Sequence, residues 1–386
     1  MPQPTIVFGM NTLFAVRQFL PEILAMVQER GLRPVVICPE PGEIPGVEFR
    51  CVPMKREISV FSDLLALVRI FFVLRSVRPA VVNMSTPKMG LIGGLAAWMA
   101  RVPHRIYTLR GLRFETARGA RRQLLIACES VAAACAHRVI CISRSVRDAV
   151  VRDRIVPKSK ATLLGDRVSE GISLRPTAPI QALDIPKSAK VIGFVGRLTR
   201  DKGIRDLVEA FRLLRAGGLN VYLLLLGEFE HGDPVDPETV HFIRTDSHVR
   251  WLGYVPNASA YYPSMDVFVF PTHREGLGRV LLEAAVAGKP VVSTRTTGVV
   301  DVVVDGETGF LVPPRDPQAL ASAAKALLTD SDCATRMGQS ARRMVHEEFD
   351  NAIYLQRLGA VLGSGRGANV PAILSDGDLR CTPWRS

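Results

Sequence analysis

Short, continuously apolar runs alternate along this chain with longer segments whose apolar residues recur at helical spacing. In the first half the runs are Thr5 to Phe8, Pro34 to Cys38, Glu48 to Pro53, AVVNM after Pro79, RIYTL ending at Leu109 and RVICIS from Arg138. Between them, Phe14 to Arg30, Phe61 to Val77, Gly90 to Ala100 and Arg121 to Ala136 carry the helical pattern. Strands alternating with helices in this way predict a parallel sheet covered on both faces, a Rossmann-like domain.

The pattern breaks between Arg167 and Lys190, where VSEGISLRPTAPIQALDIPKSAK is rich in Pro, Ser and small residues and reads as a domain boundary. A second series follows: strand VIGFVGRL, helix Ile204 to Ala216, strands VYLLLLG and VRWLGYV, and a short helix from Ala258 to Tyr262. After DVFVFPT (Asp266 to Thr272) and PVVST (Pro290 to Thr294) come GFLVPP and helices at Pro317 to Leu328, Cys333 to Glu347 and Asn351 to Leu362. The expected layout is a first domain over 1–180, a second over 181–350, a terminal helix over 351–362 packing back on the first domain, and a poorly ordered tail over 363–386. Two doubly wound α/β domains in tandem leave a central cleft between the carboxyl ends of their strands, where ligands bind in such sheets.

At 386 residues there is enough chain for two cores, and 47% hydrophobic with 22% charged residues is a globular composition. The charge is lopsided. Residues 1 to 180 carry 26 Lys+Arg against 13 Asp+Glu, whereas residues 181 to 386 carry 23 against 24. A one-sided basic field attracts polyanions. The basic half has few aromatics among its arginines and no nucleic-acid-binding module, so an anionic membrane surface is the expected partner rather than nucleic acid. The seven cysteines include no CxxC pair and sit mostly in apolar runs, as reduced thiols of a cytosolic protein would. No secretory signal is expected of PQPTIVFGMN, and the apolar stretch Leu64 to Leu74 is interrupted by Arg69 and too short to span a bilayer.

Candidate chemistry concentrates in His273 to Pro290, HREGLGRVLLEAAVAGKP, which lies between two strand-like runs as a tight loop and a helix. A helix opening just after a glycine-bearing loop points free N–H groups and its positive dipole end outward, a place for phosphate. Glu275 and Glu283 are eight residues apart, about 12 Å if both were helical. That is wider than the roughly 5 to 9.5 Å of a glycosidase acid/base pair. In GFVGRLTRDKGIRDLVEAF the strand ends at Gly196 and Arg197, and Lys202 precedes the next helix, so two cations project from one loop and can meet a diphosphate.

GRLTRDKGIRDLVEAF resembles the G-R-x4-K-G signature of the retaining GT4 glycosyltransferases, and PTHREGLGRVLLEAAVAGKPVVST resembles their E-x7-E segment, with TGVVDVVVDGETGFLVPPRDPQALASA continuing in order. The resemblance implies the GT-B fold, two Rossmann-like domains facing a cleft, with a nucleotide-sugar donor held mainly by the second. It implies that Arg197 and Lys202 neutralise the donor diphosphate beside Gly196, that Glu275 contacts the donor sugar, and that Glu283 takes the ribose. The N–H groups of Gly276, Leu277 and Gly278 would support sugar and phosphate. No metal or other cofactor is implied; DGD at Asp376 to Asp378 lies in the tail.

The first half matches that family less closely. FGMNTLF has one glycine, Gly9, where a Gly-Gly loop is frequent, and Arg110-Gly111 stands where a histidine precedes glycine in many members. Asn11, Thr12, Lys88 and Arg110 are the acceptor-side candidates, Lys88 in a loop facing the cleft. The layout from SDLLALVRIFF to RIYTLRGLRFE is similar to bacterial members that build capsule, exopolysaccharide or O-antigen units from a UDP-sugar and a saccharide on polyprenyl diphosphate. Those act at the inner, cytoplasmic face of the membrane, and Arg118, Arg121 and Arg122 near the cleft mouth would suit that position. A catalytically altered scaffold acting as a partner subunit, and a sugar-nucleotide epimerase or phosphorylase of the same fold, are the alternatives.

Overall fold

The structure, a computed structural model, describes residues 3–55, 59–172 and 183–363. The first sheet contains β1 (Thr5–Gly9), β2 (Arg33–Cys38), β3 (Glu48–Cys51), β4 (Val81–Ser85), β5 (His104–Leu109), β6 (Arg138–Cys141) and β7 (Ala161–Thr162). Its helices are α1 (Leu13–Phe19), α2 (Pro21–Glu29), α3 (Val60–Val77), α4 (Pro87–Met99), α5 (Gly119–Cys135) and α6 (Arg144–Arg152). The strand order is β3-β2-β1-β4-β5-β6-β7, every pairing parallel.

The second sheet contains β8 (Lys190–Val195), β9 (Val221–Leu226), β10 (Val249–Trp251), β11 (Val267–Phe270), β12 (Val291–Thr294) and β13 (Gly309–Val312), ordered β10-β9-β8-β11-β12-β13, again all parallel. Helices α7 (Ile204–Ala216), α8 (Pro237–Thr245), α9 (Arg279–Val286), α10 (Pro317–Thr329) and α11 (Ser331–Glu348) cover it. Continuous apolar strands are what a sheet covered on both faces requires; the four apolar side chains Val191, Ile192, Phe194 and Val195 all line the core. Phe194, Phe268 and Phe270 stack at centroid separations of 5.8 and 6.2 Å under the carboxyl ends of β8 and β11. Burying each such ring is worth roughly 1.5–3 kcal/mol, so the floor beneath the two loops is stiff.

Several elements differ from the sequence reading. The expected helix from Phe14 to Arg30 is two, because Pro21 lacks an N–H and forces a restart: Leu20 closes α1 and Pro21 occupies the first turn of α2. Helix α6 has four charged residues in nine and escapes a reading by apolar content, yet Ser143 caps it by accepting the Val146 N–H at 3.4 Å, and Val146, Ala149 and Val150 form its buried edge. Helix α8 is started by Asp236, whose carboxylate accepts the Thr239 N–H at 2.9 Å, with Pro237 in the first turn.

The final described helix, α12 (Asn351–Gly363), packs against α2, with Leu358 and Leu362 in the same core as Leu24 and Val27. Arg357 donates to the Leu164 carbonyl at 2.8 Å. The 173–182 part of the expected linker and the 364–386 part of the expected tail, DGD included, lie outside the described residues. Among the described cysteines Cys38, Cys135 and Cys141 are buried thiols, but Cys51 is exposed, because β3 is an edge strand. No described helix is long and apolar enough to cross a membrane.

Candidate active site

Strand order reverses between β1 and β4 in the first sheet and between β8 and β11 in the second. At such a switch point the flanking connections leave toward opposite faces and open a crevice at the carboxyl ends of the strands. The loops after β8 and β11 carry Gly196, Arg197 and Lys202 on one side and Glu275, Gly276, Leu277 and Gly278 on the other.

The β8 loop is pinned at its base by the Gly196 N–H, which donates to the Leu226 carbonyl at 2.9 Å. Arg197 is 51% exposed and ion-paired with Glu230. Lys202, in contrast, is 16% exposed and turns toward the β11 loop, where its ammonium pairs with Glu275 and sits 4.7 Å from the Phe270 ring centroid. Gly203 makes this turn possible: its φ is +70°, and a Cβ there would strike the Pro271 carbonyl oxygen. The two cations are therefore unequal, one exposed at the rim and one held in the wall.

Glu275 accepts from Lys202 on one oxygen and from the Gly276 N–H, at 3.0 Å, on the other. Burial alone would raise its carboxyl pKa, but the Lys202 charge and these hydrogen bonds hold it below the ordinary value. Behind it His273 pairs with Asp206 at 2.6 Å and Arg274 with Asp201 at 2.7 Å, while the His273 N–H donates to the Asp201 carbonyl at 2.8 Å. These bonds tie the β11 loop to the β8 loop, so the two form one wall. Burial pushes Asp201 up, yet Arg274 keeps its carboxyl below the usual range.

Gly278, at φ +73°, is the N-cap of α9. Glu283 lies within α9, where one oxygen accepts the Tyr262 hydroxyl at 3.1 Å and the other lies 3.4 Å from Arg279 Nε. Burial raises its pKa, against the opposing pull of Arg279 and Tyr262. Only Glu283 is helical; Glu275 belongs to the preceding loop. The helical-rise spacing of the two carboxylates therefore does not apply, and what separates them chemically is their distinct partner sets.

The first domain meets this wall through the end of β5. A Cβ on Gly276 would collide with the Arg110 carbonyl oxygen and crowd Gly111, so only glycine admits this approach. Arg110 lies 4.0 Å over the Phe19 ring and donates to Glu170 at 2.8 Å, and Arg279 donates to the other Glu170 oxygen at 2.8 Å. Glu170 is 7% exposed. A continuous chain Arg110, Glu170, Arg279, Glu283 thus runs from the first domain into α9, beside a cavity of about 160 Å³ lined by Phe19, Arg110, Glu170, Arg279 and Tyr354. Farther along the interface the Ser145 N–H donates to Asp301 at 3.0 Å, and the Thr297 hydroxyl donates to Glu115 at 2.6 Å.

Asn11 follows β1 at the first switch point and is half-buried. Thr12 caps α1, its hydroxyl oxygen accepting the Ala15 N–H at 3.1 Å. Lys88 belongs to a helix rather than to the expected loop. It lies in the first turn of α4, where its ammonium pairs with Asp63 at 2.7 Å and donates to the Lys55 carbonyl at 2.7 Å. Burial beside a carboxylate of α3 decides its direction, which sequence spacing does not report. Glu170, Arg279, Tyr262, Asp206 and Ser145 were not singled out by the sequence. Arg279 had a signal: a cation in the first turn of a helix opposes the macrodipole and needs a carboxylate partner.

Two family profiles match the chain: "Glycosyl transferase 4-like domain" over residues 15–166 and "Glycosyl transferases group 1" over residues 189–330. The chain is 37% identical over 317 residues to the Capsular polysaccharide biosynthesis glycosyltransferase CapM of Staphylococcus aureus, covering 80% of this chain and 82% of that protein. It is 24% identical over 339 residues to the UDP-Gal:alpha-D-GlcNAc-diphosphoundecaprenol alpha-1,3-galactosyltransferase of Escherichia coli, covering 82% and 84%. Among solved structures it superposes on Anabaena Alr3699/HepE, crystallised with UDP and glucose, with a TM-score of 0.74 at 20% identity, covering 93% of this chain and 99% of that one. Two facing doubly wound domains with paired loops at the second switch point thus make this a GT-B glycosyltransferase. The chain belongs to the GT4-type, group 1 glycosyltransferases.

Proposed function

We propose that this enzyme moves a sugar, with retention of anomeric configuration, from a UDP-sugar to a saccharide carried on a polyprenyl diphosphate, in cell-surface polysaccharide synthesis at the inner face of the membrane. The observation that carries the reading is the Lys202–Glu275 pair spanning the two switch-point loops, with Arg197 at the rim and the start of α9 beside it. In such a transfer the bond from the anomeric carbon to the UDP oxygen breaks, a bond to an acceptor hydroxyl oxygen forms, and a proton is released. Negative charge grows on the departing diphosphate. Lys202, Arg197 and the outward N–H groups at α9 are placed to stabilise it, and fixed donors of this kind act mainly on the transition state. Glu275, held ionised, accepts from sugar hydroxyls, and Glu283 accepts from the ribose. The proposed chemistry assigns the charge stabilisation to Lys202, Arg197 and the α9 N–H groups and uses no metal.

Support for the donor comes from HepE, crystallised with UDP and glucose, and from the galactosyltransferase, whose name states a UDP-sugar donor and a diphosphoundecaprenol acceptor. CapM supports a role in capsule-type polysaccharide. The test is a panel of UDP- and GDP-sugars offered to the purified chain, read by calorimetry and by donor hydrolysis. A UDP-sugar should bind and be slowly hydrolysed; a folded protein that binds no UDP-sugar overturns the proposal.

A further inference from the structure

Helix α3 carries apolar side chains on both faces. Ala66, Ile70 and Leu74 are buried in the first domain's core. On the opposite side Phe61, Leu64, Leu65, Val68 and Phe72 recur at three- and four-residue steps and face solvent, Phe61 with 91% and Phe72 with 64% exposure. A surface helix of a globular domain ordinarily turns polar residues outward, and one that is apolar all round is enclosed on every side. Scattered exposed apolar residues need no explanation, but a contiguous row marks an interaction surface.

The surroundings of the row say what it meets. Helix α3 packs beside α4 and α4 beside α5, and this layer also exposes Trp98 on α4 and Leu124 and Val131 on α5. Arg69, Arg75, Arg78, Arg101, Arg118 and Arg121 are all exposed. From residue 60 to residue 136 there are 11 Lys+Arg against three Asp+Glu. Those three carboxylates are engaged elsewhere: Asp63 with Lys88, Glu129 with Tyr107, and Glu115 with Thr297. An apolar stripe flanked by arginines, with no opposing carboxylate among the described residues of this stretch, is complementary to anionic headgroups over an acyl region. A second copy of the chain would bring a second positive field against the first.

We propose that the outer face of α3 from Phe61 to Phe72, with Arg118 and Arg121 at the start of α5 in the same helical layer, seats the protein in the interface of an anionic phospholipid bilayer. This deepens the reading above by naming the face that meets the membrane. In a parallel sheet the helix after a strand starts at the sheet's carboxyl edge, which here lines the cleft. Phe61 at the start of α3 and Arg118 and Arg121 at the start of α5 lie on that side, so the seat brings the cleft mouth to the lipid surface.

The experiment is flotation of the full chain with phosphatidylcholine vesicles and with vesicles that also contain phosphatidylglycerol. The chain should float with the anionic vesicles, and Phe61→Ser/Leu65→Ser/Phe72→Ser should weaken this about tenfold or more with its melting temperature unchanged. In Phe61→Trp, the added fluorescence should shift to the blue on anionic vesicles and be quenched by lipids brominated in the acyl chain. Equal flotation of the triple variant, or added fluorescence that neither shifts nor quenches, overturns the proposal. So does a wild-type dimer in sedimentation that the triple variant loses, with no flotation of either form, since a second copy would then cover the face. UDP-sugar binding measured without vesicles reports on the donor reading alone, so failure of the seat and failure of that reading are distinguishable.

Discussion

Lys202 and Glu275 come from loops after different strands, 73 positions apart, and form an ion pair in which neither side chain is more than one-fifth exposed. Each therefore orients the other where a nucleotide-sugar would meet both. Lys202→Ala should lower kcat/KM by roughly 10²–10³, the range for removing one transition-state donor, with most of the loss in kcat. Steady-state kinetics on the UDP-sugar identified by calorimetry decides it; a change confined to KM would make Lys202 a ground-state binding residue only.

Glu283→Ala should weaken donor binding about tenfold, the order of a lost charge-assisted hydrogen bond, and leave the circular dichroism spectrum intact. Burial holds the Glu283 pKa above its ordinary value, so its carboxylate takes up a proton at higher pH than a free glutamate would. Donor affinity, if it depends on the carboxylate, should therefore fall with acidification sooner in wild type than an unperturbed glutamate would allow. Affinity unchanged in the variant would remove the ribose role.

Glu170 accepts from Arg110 and Arg279 at 2.8 Å each. Replacing it by alanine strands two largely buried guanidinium groups, and losses of about 3–5 kcal/mol follow the breaking of buried ion pairs. Urea unfolding should show that scale of destabilisation for Glu170→Ala. Glu170→Gln, which keeps the shape and one acceptor oxygen but faces the second guanidinium with an NH2 donor, should lose less and should raise KM by loosening Arg279 and so Glu283. Equal stability of all three proteins would show that the chain from Arg110 to Glu283 does not hold the domains together.

Glu129 lies buried under the Tyr107 hydroxyl, which donates to it at 2.8 Å, and burial raises its carboxyl to about 7. A raised folded-state pKa means the native state binds the proton more tightly than the unfolded chain, so stability falls as pH rises through that value. Between about pH 6 and about pH 8 the wild type should lose on the order of 1 kcal/mol, from the relation between pKa shift and free energy. Glu129→Gln, still able to accept from Tyr107, should not show this loss. Thermal melts across that range test it, and parallel curves for the two proteins would assign the titration elsewhere.

Chelation with EDTA should leave turnover unchanged, because the proposed stabilisation of the leaving diphosphate rests on Lys202, Arg197 and the α9 N–H groups. A loss of activity restored by a divalent cation would show that the ion, rather than those groups, carries the charge.

The sequence by itself determined the alternation of buried strands with helices, because period and apolar content are local properties of the chain. For the same reason it placed Lys202 and Glu275 on loops after strands, since the turn residues between apolar runs mark where strands end. The break at Leu20–Pro21 was signalled by the proline, although the apolar pattern around it is continuous; the pairing of Lys88 with Asp63 was signalled by nothing in the spacing. Only the tertiary structure brought β8 beside β11, and with it Lys202 onto Glu275. It also set Glu170 between Arg110 and Arg279, and left one side of α3 uncovered. Strand order and domain contact are decided by which surfaces pack across long stretches of chain, and no spacing along the sequence encodes them.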